Sequence, residues 1–161
     1  MLFRSFWQGA LKSQTWSNYV QTQLVPAQYY RNPGDLENYL EYSNFLADIN
    51  NERKEKNQTY VENIKRLEKF VMYIFEDDTT VVPKWSGWFD EFNATSGKRI
   101  KLEDRQIYNE DWLGLRWLDD RRRLEFKTTE GGHMALSDKV LKDVFKQYFS
   151  KRVEDEASMD L

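Results

Sequence analysis

The sequence predicts an α/β protein whose sheet is incomplete within the chain. Residues Phe70–Phe75 form an almost continuous apolar run, which is typical of a parallel strand buried on both faces. Residues 124–128 alternate between apolar and polar side chains, as a half-exposed strand does. Helical patterns lie before, between and after these two segments, which is the alternation of an α/β fold. Two strands are too few for a useful sheet, so we expect further strands to be supplied from outside these residues.

Four helical or loop segments are predicted before the first strand. Residues 2–30 are aromatic and amphipathic, and Pro26 and the turn at residues 32–34 interrupt them. Residues 36–46 form a second helical stretch, and the polar segment 50–58 is predicted to be a surface loop. A third helix follows from apolar residues three apart, at positions 61, 64, 67 and 70.

Two further helices and a tail are predicted after it. Residues 111–118 carry an apolar side and are predicted to be helical. In the last helix Ser137 is the expected N-cap, and an apolar stripe runs from Val140 to Phe149. Residues 153–161 are acidic and are expected to form a frayed tail.

Composition excludes several kinds of site. The 161 residues contain no cysteine and one histidine, which excludes disulfides, thiolate nucleophiles and multi-histidine metal sites built from this sequence. The net charge is −3, and the short basic cluster at residues 121–123 does not indicate nucleic-acid binding. No apolar run is long enough to span a bilayer, and residues 1–8 do not resemble a signal peptide.

Asp78 and His133 follow the two predicted strands, where functional groups of open α/β sheets collect. A carboxylate and an imidazole on neighbouring loops are two members of a Ser-His-Asp triad, and the order Asp before His is the order in α/β-hydrolases. Spacing alone leaves a second interpretation open. A histidine after two glycines is often a turn residue, and an aspartate at a strand end often caps the next segment.

Several motifs make the chain similar to palmitoyl-protein thioesterases, which are lysosomal α/β-hydrolases that remove fatty acyl groups from cysteine thioesters. The most specific motif is FLADIN at residues 45–50. The others occur in the family's order at residues 19–33, 57–60, 69–72, 88–89, 113–115 and 129–131. The resemblance covers most of the chain, from about Trp16 to Tyr148.

The resemblance implies roles for particular residues. Residues 78–83 (DTTVVP) match the family pattern Asp-x-x-Val-x-Pro, which makes Asp78 the triad acid and His133 the triad base. Asp77 is the alternative acid, at a position where the family often has Asn. Gly132 departs from the family, which commonly has an acidic residue there. No Gly-x-Ser-x-Gly motif is present, so the nucleophile and the oxyanion hole are expected elsewhere, and the chain alone is expected to be inactive.

The resemblance also implies an organisation. Residues 1–65 correspond to a helical lid that forms an acyl-chain groove, 66–152 to the C-terminal portion of the hydrolase core, and 153–161 to the tail. The expected substrate is a fatty acyl (palmitoyl) thioester, and the chemistry requires no cofactor and no metal. The expected location of the full-length parent protein is the lysosome or the secretory pathway, although no signal peptide is visible here.

Asn57 and Asn93 begin the sequons NQT and NAT, which are candidate glycosylation sites. Two other functions remain open from the sequence. One is a truncated paralogue that binds lipid or protein without catalysis, and the other is a related esterase that acts on lipid oxygen esters.

Overall fold

A computed structural model describes residues 15–150, and the first part of the amphipathic segment predicted at 2–30 and the tail predicted at 153–161 lie outside them. The helices are α1 (Asn18–Gln23), α2 (Val25–Gln28), α3 (Leu36–Tyr42), α4 (Leu46–Ile49), α5 (Gln58–Lys65), α6 (Gln106–Asn109), α7 (Leu115–Asp119) and α8 (Asp138–Tyr148). The strands are β1 (Phe70–Phe75), β2 (Glu91–Phe92), β3 (Arg99–Ile100) and β4 (Leu124–Thr129). Short 3₁₀ helices cover Lys84–Trp88 and Leu102–Asp104.

The two predicted strands pair with each other in parallel. In the register of β1 and β4, Phe70 is opposite Leu124 and Phe75 is opposite Thr129, so the strands end together. Across residues 15–150, β1 and β4 form a two-stranded sheet. The mixed architecture and the small parallel sheet agree with the predicted α/β class. A second pair, the antiparallel strands β2 and β3, was not predicted, because two residues are too few to show an alternating pattern.

The core gathers apolar side chains from both strands and from the segment between them. Its buried members are Met72, Leu102, Ile107, Leu113, Leu115, Leu118 and Leu124. Tyr60 and Ile64 of α5 pack against this cluster, so the helix before β1 belongs to the same core. Full burial of side chains of this size stabilises a fold by about 1.5–3 kcal/mol each.

Several predicted helices are shorter than expected. The first ends at Gln23, and Pro26 then lies in the first turn of α2, where its missing N–H is not needed. The stretch predicted at 36–46 is divided into α3 and α4. The helix predicted at 111–118 begins only at Leu115, because Asp111 and Gly114 have positive φ angles of 54° and 82° and form a turn.

The final helix is capped as predicted, but its apolar stripe is not buried. The Ser137 hydroxyl accepts a hydrogen bond from the Val140 N–H at 3.3 Å. The rings of Phe145 and Phe149 contact each other in a tilted arrangement, with centroids 5.4 Å apart, and remain 62% and 61% exposed. Among the described residues, 15–150, we find no helix with both the length and the apolar character needed to cross a membrane.

The loop predicted to be on the surface contains two buried polar residues, so that part of the prediction is wrong. Asn51 and Glu52 are 3% and 7% exposed. The Asn51 side-chain amide donates hydrogen bonds to the carbonyl oxygens of Asn57 and Trp112, at 3.2 and 2.8 Å. The polar side chains of Asn51 and Glu52 are therefore present because they form internal hydrogen bonds, and not because they face solvent.

Glu52 is the centre of a buried ionic network. Its carboxylate accepts a hydrogen bond from the Tyr39 hydroxyl at 2.9 Å and pairs with Arg31 at 2.9 Å. Arg31 also pairs with Glu91, which lies 3.2 Å from Arg105. Burial first, and then the charge of Glu52, raises the pKa of Tyr39 far above its ordinary value. The network joins the first helices to the segment after β1.

Candidate active site

Asp78 is held in place by the turn that follows β1. Its own N–H donates to the carbonyl oxygen of Phe75, the last strand residue, at 3.2 Å. Its Oδ1 atom accepts hydrogen bonds from the N–H groups of Thr80 and Val81 at 2.8 and 2.9 Å. This side chain-to-backbone turn is a common use of aspartate after a strand. It fixes one carboxylate oxygen and leaves Oδ2 available.

His133 meets that second oxygen. The ring atom Nδ1 lies 2.9 Å from Oδ2 of Asp78, although the two residues are 55 positions apart. They meet because β1 and β4 are parallel and in register, which brings both following loops to one edge of the sheet. The Asp78 side chain is 6% exposed and the His133 side chain 41% exposed. One face of the pair is therefore buried, while the ring remains accessible.

Asp77, the alternative acid, does not contact the imidazole. Its side chain is exposed and forms no hydrogen bond or ion pair with any residue in the range 15–150. Its backbone N–H donates instead to the carbonyl oxygen of Gly131 at 3.0 Å. Of the two adjacent aspartates, Asp78 is thus the one whose carboxylate contacts the ring.

The environment of Asp78 favours its ionised form. Burial, the largest influence, raises the pKa of Asp78, but the hydrogen bonds from His133 and from the N–H groups of Val81 and Thr80 together outweigh it. The net result is a pKa below the ordinary value for aspartate. An ionised acceptor at this position favours the tautomer with hydrogen on Nδ1, so that Nε2 remains free to accept a proton.

This shift predicts how stability depends on pH. Because the folded chain binds the Asp78 proton less tightly than the unfolded chain, the interaction stabilises the fold above the ordinary Asp pKa of about 3.9 and is lost as pH falls through the lowered value. We expect the thermal midpoint of the chain to exceed that of Asp78→Asn at neutral pH. The difference should shrink below about pH 4. Asp77→Asn is the control, and a difference that is unchanged in acid would contradict this prediction.

An open cavity of about 730 Å³ lies at the same edge of the sheet. Its lining includes Asp77, Thr129, Glu130, Ser137 and Lys139, so it extends from the strand ends to the start of α8. Within residues 15–150 we find no group of three or more side chains arranged to hold a metal ion. Its polar lining does not fit an apolar chain.

Both sequons are exposed and adopt similar local geometry. The Asn57 side chain caps α5 by accepting the Thr59 N–H at 3.0 Å. Asn93 begins the turn between β2 and β3 and accepts the N–H groups of Thr95 and Ser96 at 3.0 and 2.9 Å. Each asparagine is therefore accessible at the start of a turn or helix.

The sequence of the chain is similar to a known protein family and to several of its members. The family model described as Palmitoyl protein thioesterase matches residues 3–133, and His133 is the last residue matched. Palmitoyl-protein thioesterase 3 of Dictyostelium discoideum is 43% identical over 132 residues, which are 81% of this chain and 45% of that protein. Palmitoyl-protein thioesterase 1 of Caenorhabditis elegans is 37% identical over 133 residues, 81% of this chain and 44% of the relative.

A third relative is more distant. Lysosomal thioesterase PPT2-B of Xenopus laevis is 34% identical over 125 residues, 76% of this chain and 42% of that protein. The chain thus spans a little under half the length of each of these relatives. The family model and these relatives each match most of the length of this chain. This chain belongs to the palmitoyl protein thioesterase family.

Proposed function

We propose that this chain supplies the acid and the base of a Ser-His-Asp triad in an α/β-hydrolase that cleaves fatty acyl thioesters on cysteine. The observation that carries the proposal is the 2.9 Å contact between Nδ1 of His133 and Oδ2 of Asp78 at the edge of a parallel sheet. The names of the relatives support palmitoyl groups as the substrate class. No metal or organic cofactor is required for this reaction.

The proposed reaction has two halves. In the first, Nε2 of His133 takes the proton of a serine hydroxyl as the serine oxygen bonds to the thioester carbonyl carbon. The C–S bond then breaks, His133 returns the proton to the cysteine sulfur, and an acyl-serine ester remains. In the second half, His133 takes a proton from water as the water oxygen bonds to the ester carbonyl carbon, and it returns this proton to the serine oxygen as the C–O bond breaks and the fatty acid leaves. Asp78 stabilises the protonated ring in both halves.

No serine in this sequence has a glycine two positions before it, so the Gly-x-Ser-x-Gly pattern of the nucleophile is missing from these 161 residues. The nucleophilic serine and the oxyanion hole are therefore not identified among them. They would come from a segment outside these 161 residues. In this organisation residues 1–65 belong to the lid that holds the acyl chain, and residues 66–152 to the end of the hydrolase core. The last unit of this proposed organisation is the acidic tail at residues 153–161.

The proposed location is the lysosome or secretory pathway, and the proposed modification is N-glycosylation of Asn57 and Asn93. The name lysosomal thioesterase of the Xenopus relative supports the location. The exposure of both asparagines at turn starts supports the modification. Both sites require that the parent protein enters the secretory pathway.

Replacing a segment in a relative tests the function. We expect a chimera, in which this chain replaces the matching part of Dictyostelium palmitoyl-protein thioesterase 3, to hydrolyse a palmitoyl-cysteine thioester. The isolated chain, tested beside it, should show no turnover, because loss of a triad nucleophile lowers kcat by about 10⁶-fold. A folded chimera without turnover would contradict the proposal. So would turnover by the isolated chain that His133→Ala abolishes.

The second candidate function, lipid or protein binding without catalysis, is favoured by exposed apolar side chains on the first helices. Tyr19, Val25 and Tyr29 are 73%, 63% and 60% exposed. This function predicts that the isolated chain binds a fatty acid and that Asp78→Asn and His133→Ala leave the affinity unchanged. Binding without turnover in the chimera would favour it over the triad.

A further inference from the structure

Within residues 15–150, the His133 ring forms one side-chain hydrogen bond, to Asp78. The His133 side chain is 41% exposed. Asp78 is fixed independently by its own turn. The position of the ring relative to Asp78 must therefore be set by the backbone of the loop that carries it, residues 130–133.

That loop is attached to the end of β1 by one backbone hydrogen bond. The last bond of the regular ladder runs from the Glu76 N–H to the Thr129 carbonyl oxygen at 2.8 Å. Acceptors on one strand of a parallel ladder are two residues apart, so Gly131 is the expected next acceptor and Asp78 the expected donor. The donor is instead the Asp77 N–H, which lies 3.0 Å from the Gly131 carbonyl oxygen, while the Asp78 N–H bonds to Phe75. The attachment lies one residue before Asp78 on one side and two residues before His133 on the other.

The conformation of Gly131 makes this attachment possible. Its φ angle is 96°, a value that residues with a side chain rarely adopt. A Cβ atom added there would lie 3.0 Å from Cβ of Ala135, which is closer than ordinary packing allows. Gly132 differs in both respects, because its φ is not positive and an added Cβ would meet no atom within 4 Å.

We infer that Gly131 is a positioning residue for His133. The conformation of Gly131 turns the loop, and the hydrogen bond that Gly131 accepts from the Asp77 N–H holds the loop so that the His133 ring lies against Asp78. The inference rests on the proposed role of the Asp78–His133 pair. It also gives Asp77 a structural role, because the Asp77 backbone N–H donates the hydrogen bond to Gly131. Gly132, by contrast, tolerates a side chain.

Because His133 is the single histidine of the chain, its imidazole can be observed without interference. The experiment is ¹⁵N NMR of the imidazole in the full 161-residue chain, at a pH where the ring is neutral. We expect the wild type to show mainly the tautomer with hydrogen on Nδ1, as Asp78 requires. Gly131→Ala should shift the ring toward the tautomer mixture of Asp78→Asn, with the helical circular dichroism retained, and Gly132→Ala should match the wild type.

The outcomes separate this inference from the proposed function. If the wild type shows the Nδ1–H tautomer and a folded Gly131→Ala retains it, the positioning role is overturned and the pair stands. If the wild type itself lacks that tautomer, the proposed pair fails and the positioning role fails with it. If Gly131→Ala does not fold, amide exchange in the wild type decides: slow exchange of the Asp77 N–H supports the attachment, and free exchange overturns it.

Discussion

Asp78→Asn in the chimera with the Dictyostelium relative should lower kcat for a palmitoyl-cysteine thioester by about 10⁴-fold, with the fold intact. The asparagine keeps the shape of the side chain but removes the charge that stabilises the protonated ring. Its amide also favours the wrong tautomer of His133, because an N–H₂ group facing Nδ1 donates where the carboxylate accepts. Steady-state kinetics on the purified chimera measure the effect.

Asp77→Asn is the matched control for this experiment. It makes the same chemical change one residue earlier and leaves the backbone amide that bonds to Gly131 in place. We expect it to retain most of the turnover. If Asp77→Asn were the variant with the large loss and Asp78→Asn the mild one, the assignment of the acid would be reversed.

The second large effect concerns stability. Glu52→Ala should lower the free energy of unfolding by about 3 kcal/mol, because it removes the acceptor of the buried Tyr39 hydroxyl and one of the two carboxylate partners of Arg31. Denaturation by urea, followed by tryptophan fluorescence, measures this loss. The control is Glu55→Ala, since Glu55 is exposed on the same loop. Equal stability of the two variants would contradict the network as a stabilising element.

The strands and the candidate pair could be predicted because their signals are local. The apolar run at Phe70–Phe75 is too continuous for a half-exposed strand, which predicts burial and parallel pairing. Once two parallel strands are recognised, the residues that follow them must meet at one edge of the sheet. Asp78 and His133 are placed by that argument, and their contact follows from the register.

Other features depend on contacts between distant residues, which no local pattern reveals. Arg31 pairs with Glu91 across 60 positions and also with Glu52, which is buried although it lies in a polar segment. The role of Gly131 also required coordinates, because two adjacent glycines look alike in sequence while one of them has a positive φ. The stripe of α8 is the opposite case: its apolar pattern was evident in the sequence, but Phe145 and Phe149 are exposed in the structure.

The most direct test of the central claim, that His133 acts as the general base of a serine hydrolase, is the labelling of the chimera's serine by a fluorophosphonate. The probe reports activation of the serine and does not depend on recognition of the acyl chain. We predict rapid labelling of the chimera and its loss in His133→Ala, together with the loss of thioester hydrolysis. Labelling at an undiminished rate in a folded His133→Ala chimera would contradict the claim.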